Sequence, residues 1–167
     1  MTATYEKIAT NTLGSATNSI TFSSISGSYT DLVLISSITG FSDPSYSGAL
    51  RFNSDTGSNY SLTNLYGDGS SAGSDRTTSA AQIQFYGKAV GVPNAVSTGI
   101  TNIQNYSNST TYKTALTRWG AAGTGLNANV GLWRSTSAIT SVTIFGLNSN
   151  TFSTGSMFTL YGILKEA

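Results

Sequence analysis

Ser19-Ile20-Thr21-Phe22-Ser23-Ser24-Ile25, followed after one turn by Asp31-Leu32-Val33-Leu34-Ile35, decides the fold class of this chain. In the first run Ile20 and Phe22 fall on one side and hydroxyl residues on the other. That is the period of a half-buried strand, since successive strand side chains point to opposite faces. The second run is nearly all apolar and reads as a strand covered on both faces. No stretch shows the 3.6-residue period of a helix.

The same alternation recurs in both directions from this pair. Tyr5–Ala9 is an opening strand, and Ala49–Asn53, Tyr60–Tyr66, Gln82–Tyr86 and Gly99–Ile103 follow. Tyr112–Trp119, Asn129–Arg134, Ile139–Phe145 and Met157–Leu164 complete about ten to eleven strands, judged by their β-branched and aromatic content. Turn residues punctuate them at Asp43-Pro44-Ser45, Asp55-Thr56-Gly57, Gly67-Asp68-Gly69 and Ser153-Thr154-Gly155. Gly67–Ser79 and Ala121–Leu126 lack a hydrophobic pattern and are expected to be exposed loops. Composition is uniform, so a single domain over 1–167 is expected. It should be all-β, an antiparallel β-sandwich of jelly-roll type; another Greek-key or an immunoglobulin-like sandwich is the alternative.

Composition bears on function by what it lacks. The chain has no histidine and no cysteine, and its 167 residues hold eight basic and seven acidic side chains. The commonest general base and the main ligands of transition metals are therefore missing. There is no serine nucleophile with a histidine partner, and no Gly-x4-Gly-Lys-Ser/Thr phosphate loop. The expectation is a protein without enzymatic activity, cofactor or bound metal. The basic residues are dispersed and the net charge is +1, which argues against nucleic acid as a partner. No basic-then-apolar leader opens the chain, and its apolar runs are too short to span a bilayer, so membrane insertion is not expected. About half of the residues are Ser, Thr, Asn or Gly. A surface of hydroxyls and amides is hydrated without strong self-repulsion and suits dense assemblies.

Two sets of residues are candidates for a site. Asp43, Asp55, Asp68 and Asp75 lie in or beside turn-rich segments, where carboxylates either cap backbone N–H groups or gather a calcium ion. Turn capping already accounts for them. Arg118-Trp119 and Trp133-Arg134 each join an indole to a guanidinium. Exposed beside tyrosines such as Tyr46, Tyr66, Tyr86 and Tyr106, they would make a platform on which a sugar ring stacks. Buried, both Trp would fill the inter-sheet core with Arg stems over them.

The ends of the chain carry a resemblance. Tyr5–Ser15 runs into Ser19–Ile25 and Tyr29–Leu34; Trp133–Ile144 leads to Phe152–Ile163. These stretches resemble a family of small β-sandwich virion structural proteins of tailed bacteriophages. The resemblance implies a module on the virion exterior: a capsid decoration or head-fibre protein, or a tail-fibre part that recognises a host surface glycan. It also implies contacts with other virion proteins and a homo-oligomer, with a trimer favoured. A sandwich with no stalk or attachment domain favours the decoration role.

Overall fold

The computed structural model describes residues 4–43, 47–85, 96–121 and 123–164. Its strands are β1 (Tyr5–Thr12), β2 (Ser19–Phe22), β3 (Asp31–Ile38), β4 (Gly48–Phe52), β5 (Tyr60–Gly67) and β6 (Ala72–Ala80). They continue as β7 (Ile83–Phe85), β8 (Ser97–Gln104), β9 (Lys113–Ala121), β10 (Gly125–Trp133), β11 (Val142–Gly146) and β12 (Met157–Ile163). A single 3-10 turn, Leu147–Ser149, is the one helical element among the described residues. All named strand pairs are antiparallel. They form an eight-stranded sheet, β1-β12-β3-β8-β9-β10-β5-β6, and a four-stranded sheet, β2-β11-β4-β7.

The order contains a rolled hairpin. With the hairpins β5–β6 and β9–β10 set aside, the first of eight strands pairs with the last (β1 with β12). The second pairs with the seventh (β2 with β11). The third pairs with the sixth (β3 with β8) and the fourth with the fifth (β4 with β7). This is the double Greek key of a jelly roll. The two inserted hairpins extend one sheet well beyond its four-stranded partner.

The core lies between the sheets. Ile20 and Phe22 point inward, as their alternation requires, against Leu32, Leu34, Phe158 and Leu160. Phe52, Tyr60 and Trp133 cluster at one end: Phe52 and Trp133 centroids are 5.7 Å apart, and Tyr60 stacks on Trp133 with planes 18° apart. Phe85 and Trp119 join the sheets further along, with centroids 5.3 Å apart. Each of these two rings lies over the glycine directly across the strand pair, Phe85 on Gly48 and Trp119 on Gly99. A side chain at either glycine would occupy the space of the ring.

Three expectations need correcting. Gly67–Ser79 is not one exposed loop: only 68–71 turn, and Ala72–Ala80 is an edge strand with almost every residue exposed. It lacked a hydrophobic pattern because neither of its faces is covered; its backbone bonds to β5 alone make it a strand. Ala121–Leu126 closes tightly, with Ala121 already opposite Gly125. Ile35 on β3 is 39 % exposed, so that strand is covered on one face and only partly on the other.

Candidate functional site

The structure does not bring the four arginine and tryptophan residues together. Trp133 is buried, and its Nε1 donates to Asp55 Oδ2 at 2.6 Å. Arg134 clamps the start of β5 by donating to the carbonyls of Ser58 (2.8 Å) and Tyr60 (3.2 Å). Trp119 is buried against Phe85, while Arg118, its neighbour on β9, points to the opposite face of the sheet. Trp119 pairs with Asn127, six residues along β10 from Trp133, which sets the two indoles about 20 Å apart along the strands. A surface sugar platform made of these residues is therefore not present. The physical reason is size: an indole buries far more apolar area inside a sandwich than it does beside water. Tyr106 is also interior, its hydroxyl donating to the Ser26 carbonyl, whereas Tyr66 is half exposed. Tyr46 and Tyr86 lie outside the described residues.

Two of the four acids, Asp55 and Asp68, act in turns, whereas Asp75 lies within strand β6. Asp55 accepts from the Gly57 amide (2.8 Å) and Asn59 Nδ2 (2.9 Å), as well as from Trp133. Burial works to raise its carboxyl, but these hydrogen bonds outweigh burial and hold it below the ordinary value. Asp68 accepts from the amides of Ser71 and Ser70, which likewise hold it low. No group of three or more acids that suits a metal ion occurs among the described residues. Lys113 is fully buried, donating to the carbonyls of Thr111 (2.6 Å) and Thr136 (3.1 Å); burial pulls its pKa down.

The feature that stands out is the outer face of the eight-stranded sheet. Three adjacent rows of side chains cross it. One row runs Ile35, Ile100, Arg118, Ala128, Leu65 from β3 to β5. The next holds Val33, Asn102, Leu116, Val130, Thr63. The third holds Met157, Ser37, Thr98, Gly120, Leu126. Seven of the eleven exposed large hydrophobic side chains of the described residues belong to these rows: Ile35, Leu65, Ile100, Leu116, Leu126, Val130 and Met157. Arg118 is the one charge in them. Antiparallel sheets with one wet face normally turn polar residues outward. A contiguous aliphatic patch on such a face marks a contact surface.

The inner face under the same strands shows the converse. Thr101, Thr117, Asn129 and Asn64 form a row, all buried, with a 3.0 Å bond between the two threonine hydroxyls. Asn129 Nδ2 donates to the Gln84 carbonyl of β7 at 3.0 Å, which places the row between the sheets. Yet Asn129 Oδ1, Asn127 Oδ1, Trp119 Nε1 and both amide atoms of Asn64 have no partner among the described residues. Along β10, amides and Gly131 face in while Leu126, Ala128, Val130 and Leu132 face out. The sequence pattern shows the alternation of this strand but not its inverted polarity, so it does not mark the outer face. Only the register against Trp119 and Trp133 reveals which side is which.

No known family model matches the chain, and no curated protein matches it in sequence. The reading of the site therefore rests on its own geometry. No helix among the described residues is long and apolar enough to cross a membrane.

An open groove lies at one end of the sandwich, between the β2–β3 and β8–β9 loops. Its volume is about 520 Å³, and Tyr29, Asp31, Gln104, Asn105 and Asn108 are among the residues that line it. Asp31 Oδ1 accepts the Asn105 amide at 2.7 Å and fixes the rim.

Proposed function

We propose that this protein is a non-enzymatic structural subunit of a bacteriophage virion, a capsid decoration or head-fibre module held in place by shallow contacts multiplied over many copies. The observation that carries the reading is the aliphatic patch on the outer face of the eight-stranded sheet, whose three central rows hold Arg118 as their one charge, with Asp31, Lys7 and Arg76 toward its margins. A catalytic domain gathers titratable groups in a cleft. Here the acids with shifted pKa values serve turns, and the distinctive surface is an exposed aliphatic patch. The resemblance of the chain ends to phage virion proteins supports the location, and hydroxyl-rich strands suit close packing. The subunit is proposed to work as a homo-oligomer, a trimer in the first instance, with other virion proteins as neighbours. Immunogold labelling or cryo-electron microscopy of purified particles of the encoding phage tests this. Copies on the head surface are expected, and a particle without the protein refutes it.

A second reading is a tail-associated module that recognises a host glycan. With both indoles buried, it rests on the end groove, whose amides and Asp31 suit sugar hydroxyls. Isolated protein should then adsorb to host cells, and Gln104→Ala should weaken adsorption several-fold. Unchanged adsorption removes the groove from consideration.

A further inference from the structure

We infer that the outer face of the eight-stranded sheet, over strands β12, β3, β8, β9, β10 and β5, is covered by other copies of this same chain. The inference deepens the assembly reading above and rests on it. Shape selects the occupant. A sheet face that is largely aliphatic is complementary to another sheet face, and sheets pack this way about 10 Å apart in sandwiches. A helix would meet only a stripe of it. Area is sufficient as well. Six strands at ~4.8 Å spacing and ~20 Å of strand length give roughly 600 Å² of projected face, and side-chain relief brings this close to the ~800 Å² per partner of a stable interface.

Charge points the same way. The three rows carry one charge, Arg118, and the same face carries one acid, Asp31 at the start of β3, so it presents no block of one sign that would select an acidic or a basic stranger. The centre of the patch lies between β8 and β9, and Arg118 stands just off it, directly beside Ile100. A second copy related by rotation about that centre sets β9 over the partner's β8. The Arg118 stem then lies over aliphatic surface, and its guanidinium is directed at the amide side chain of Asn102, two residues along β8 from Ile100.

The inverted strands supply the second, independent observation. Strand β10 turns Asn127 and Asn129 inward and Leu126 and Val130 outward, and its neighbours add Thr117 and Asn64 to the inside and Leu116 and Leu65 to the outside. In a lone subunit this wastes apolar surface. With a copy on the outer face, both sides of these strands are dry.

The experiment is the mass of the purified full chain by light scattering and sedimentation, from about 1 to 100 μM, a range that brackets micromolar affinity. Wild type, Leu116→Asp, Val130→Asp and, as a control outside the patch, Thr21→Asp on β2 are compared. Circular dichroism and melting of each variant establish that the subunit is still folded; the two substituted side chains are about 40 % exposed, so the core does not depend on them. Expected is a dimer or trimer for wild type and for Thr21→Asp, and at least a tenfold weaker association for each face variant with its melting retained. A wild type that stays monomeric at 100 μM overturns the inference and assigns the face to a different virion protein. An oligomer that neither face variant weakens overturns it too and moves the interface elsewhere. Both results leave the virion reading standing, whereas a face-dependent oligomer absent from purified particles removes that reading and keeps this one.

Discussion

Gly99→Ala tests the inter-sheet stack most directly. Trp119 lies flat across Gly99 on the neighbouring strand, and a Cβ built there overlaps the ring at Cε3 and stands 2.5 Å from Cζ3. Carbon atoms rest at about 3.5–4.0 Å, so the indole has to retreat by about 1 Å or more. Behind it stands Phe85, 5.3 Å away centroid to centroid, itself lying over Gly48. With no free side to move toward, the ring leaves its rotamer or the strands part. Overpacking of this kind costs about 1–3 kcal/mol. Replacing glycine within a strand returns about 0.5–1 kcal/mol. The net loss is about 1–2 kcal/mol, a fall in Tm of about 2–8 °C for a chain of this length. A thermal melt by circular dichroism, with a urea titration beside it, reads this out. Gly14→Ala is the control, because nothing lies within 4 Å of its Cβ position. Trimming the far ring in Gly99→Ala/Phe85→Leu should yield a stability higher than the sum of the two single changes. If Gly99→Ala melts at or above wild type, the described packing of Trp119 is wrong.

Four further outcomes follow from particular residues. Asn64→Leu should raise stability by about 1–3 kcal/mol, because both of its buried amide atoms lack partners and an apolar group of like size removes that cost; a urea midpoint below wild type counts against it. Burial pushes the Tyr60 hydroxyl up to about 12. Its neutral form is favoured in the fold, so its contribution is full below pH 10 and is lost as pH rises from 10 through 12. Two pH units correspond to about 2.7 kcal/mol, and screening at a hydroxyl beside the Asp55 loop reduces this to about 2 kcal/mol; Tyr60→Phe should abolish that slope in alkaline melts. Asp55 carries the opposite sign. Its carboxyl is held low, so its support is present above the ordinary carboxylate pKa and fades as pH falls through the depressed value, and Asp55→Asn should flatten the acid limb of a stability-against-pH curve. Trp133→Phe removes the Nε1 bond to Asp55 and should make the β4–β5 turn more open to proteolysis, with an unaltered cleavage pattern as the contrary result.

The strands were legible because most of them bury one face. Ile20 and Phe22 alternate with hydroxyl residues, Leu50 and Phe52 flank Arg51, and all four lie in the core with Ile144 and Leu160. That period established the antiparallel sandwich, and the jelly roll follows from the pairing of first strand with last. Asp55 and Asp68 were readable too, since a turn aspartate beside glycine or serine caps local amides. Strand β6 was not readable. Ala72–Ala80 touches the rest of the chain through backbone bonds on one edge, and backbone bonds leave no trace in side-chain pattern. The glycines opposite Trp119 and Phe85 escaped for a different reason: they are far away in sequence, and only the register brings each beneath its ring.

Strand β10 marks the limit of pattern reading. Alternation gives a period and leaves open which set of residues faces inward. A shift of one residue would bury Leu126, Val130 and Leu132 in place of Asn127, Asn129 and Gly131, each aliphatic gaining about 1.5–3 kcal/mol against water. What forbids the shift is the interior around Trp133 and Gly131. Trp133 fills the space between Phe52 and Tyr60, and a Cβ at position 131 would approach Ile83 to 2.6 Å. Strands β9 and β5 obey the same constraint through Trp119 and Tyr60. The lone subunit therefore keeps orphaned amides inside and aliphatics outside, a conflict between local pattern and fold that single-domain proteins rarely retain. Covering the outer face with another copy removes one half of that conflict without altering a single inward residue. The same set of aromatics that fixes the register of the sandwich thereby decides which side of the sheet carries the aliphatic patch.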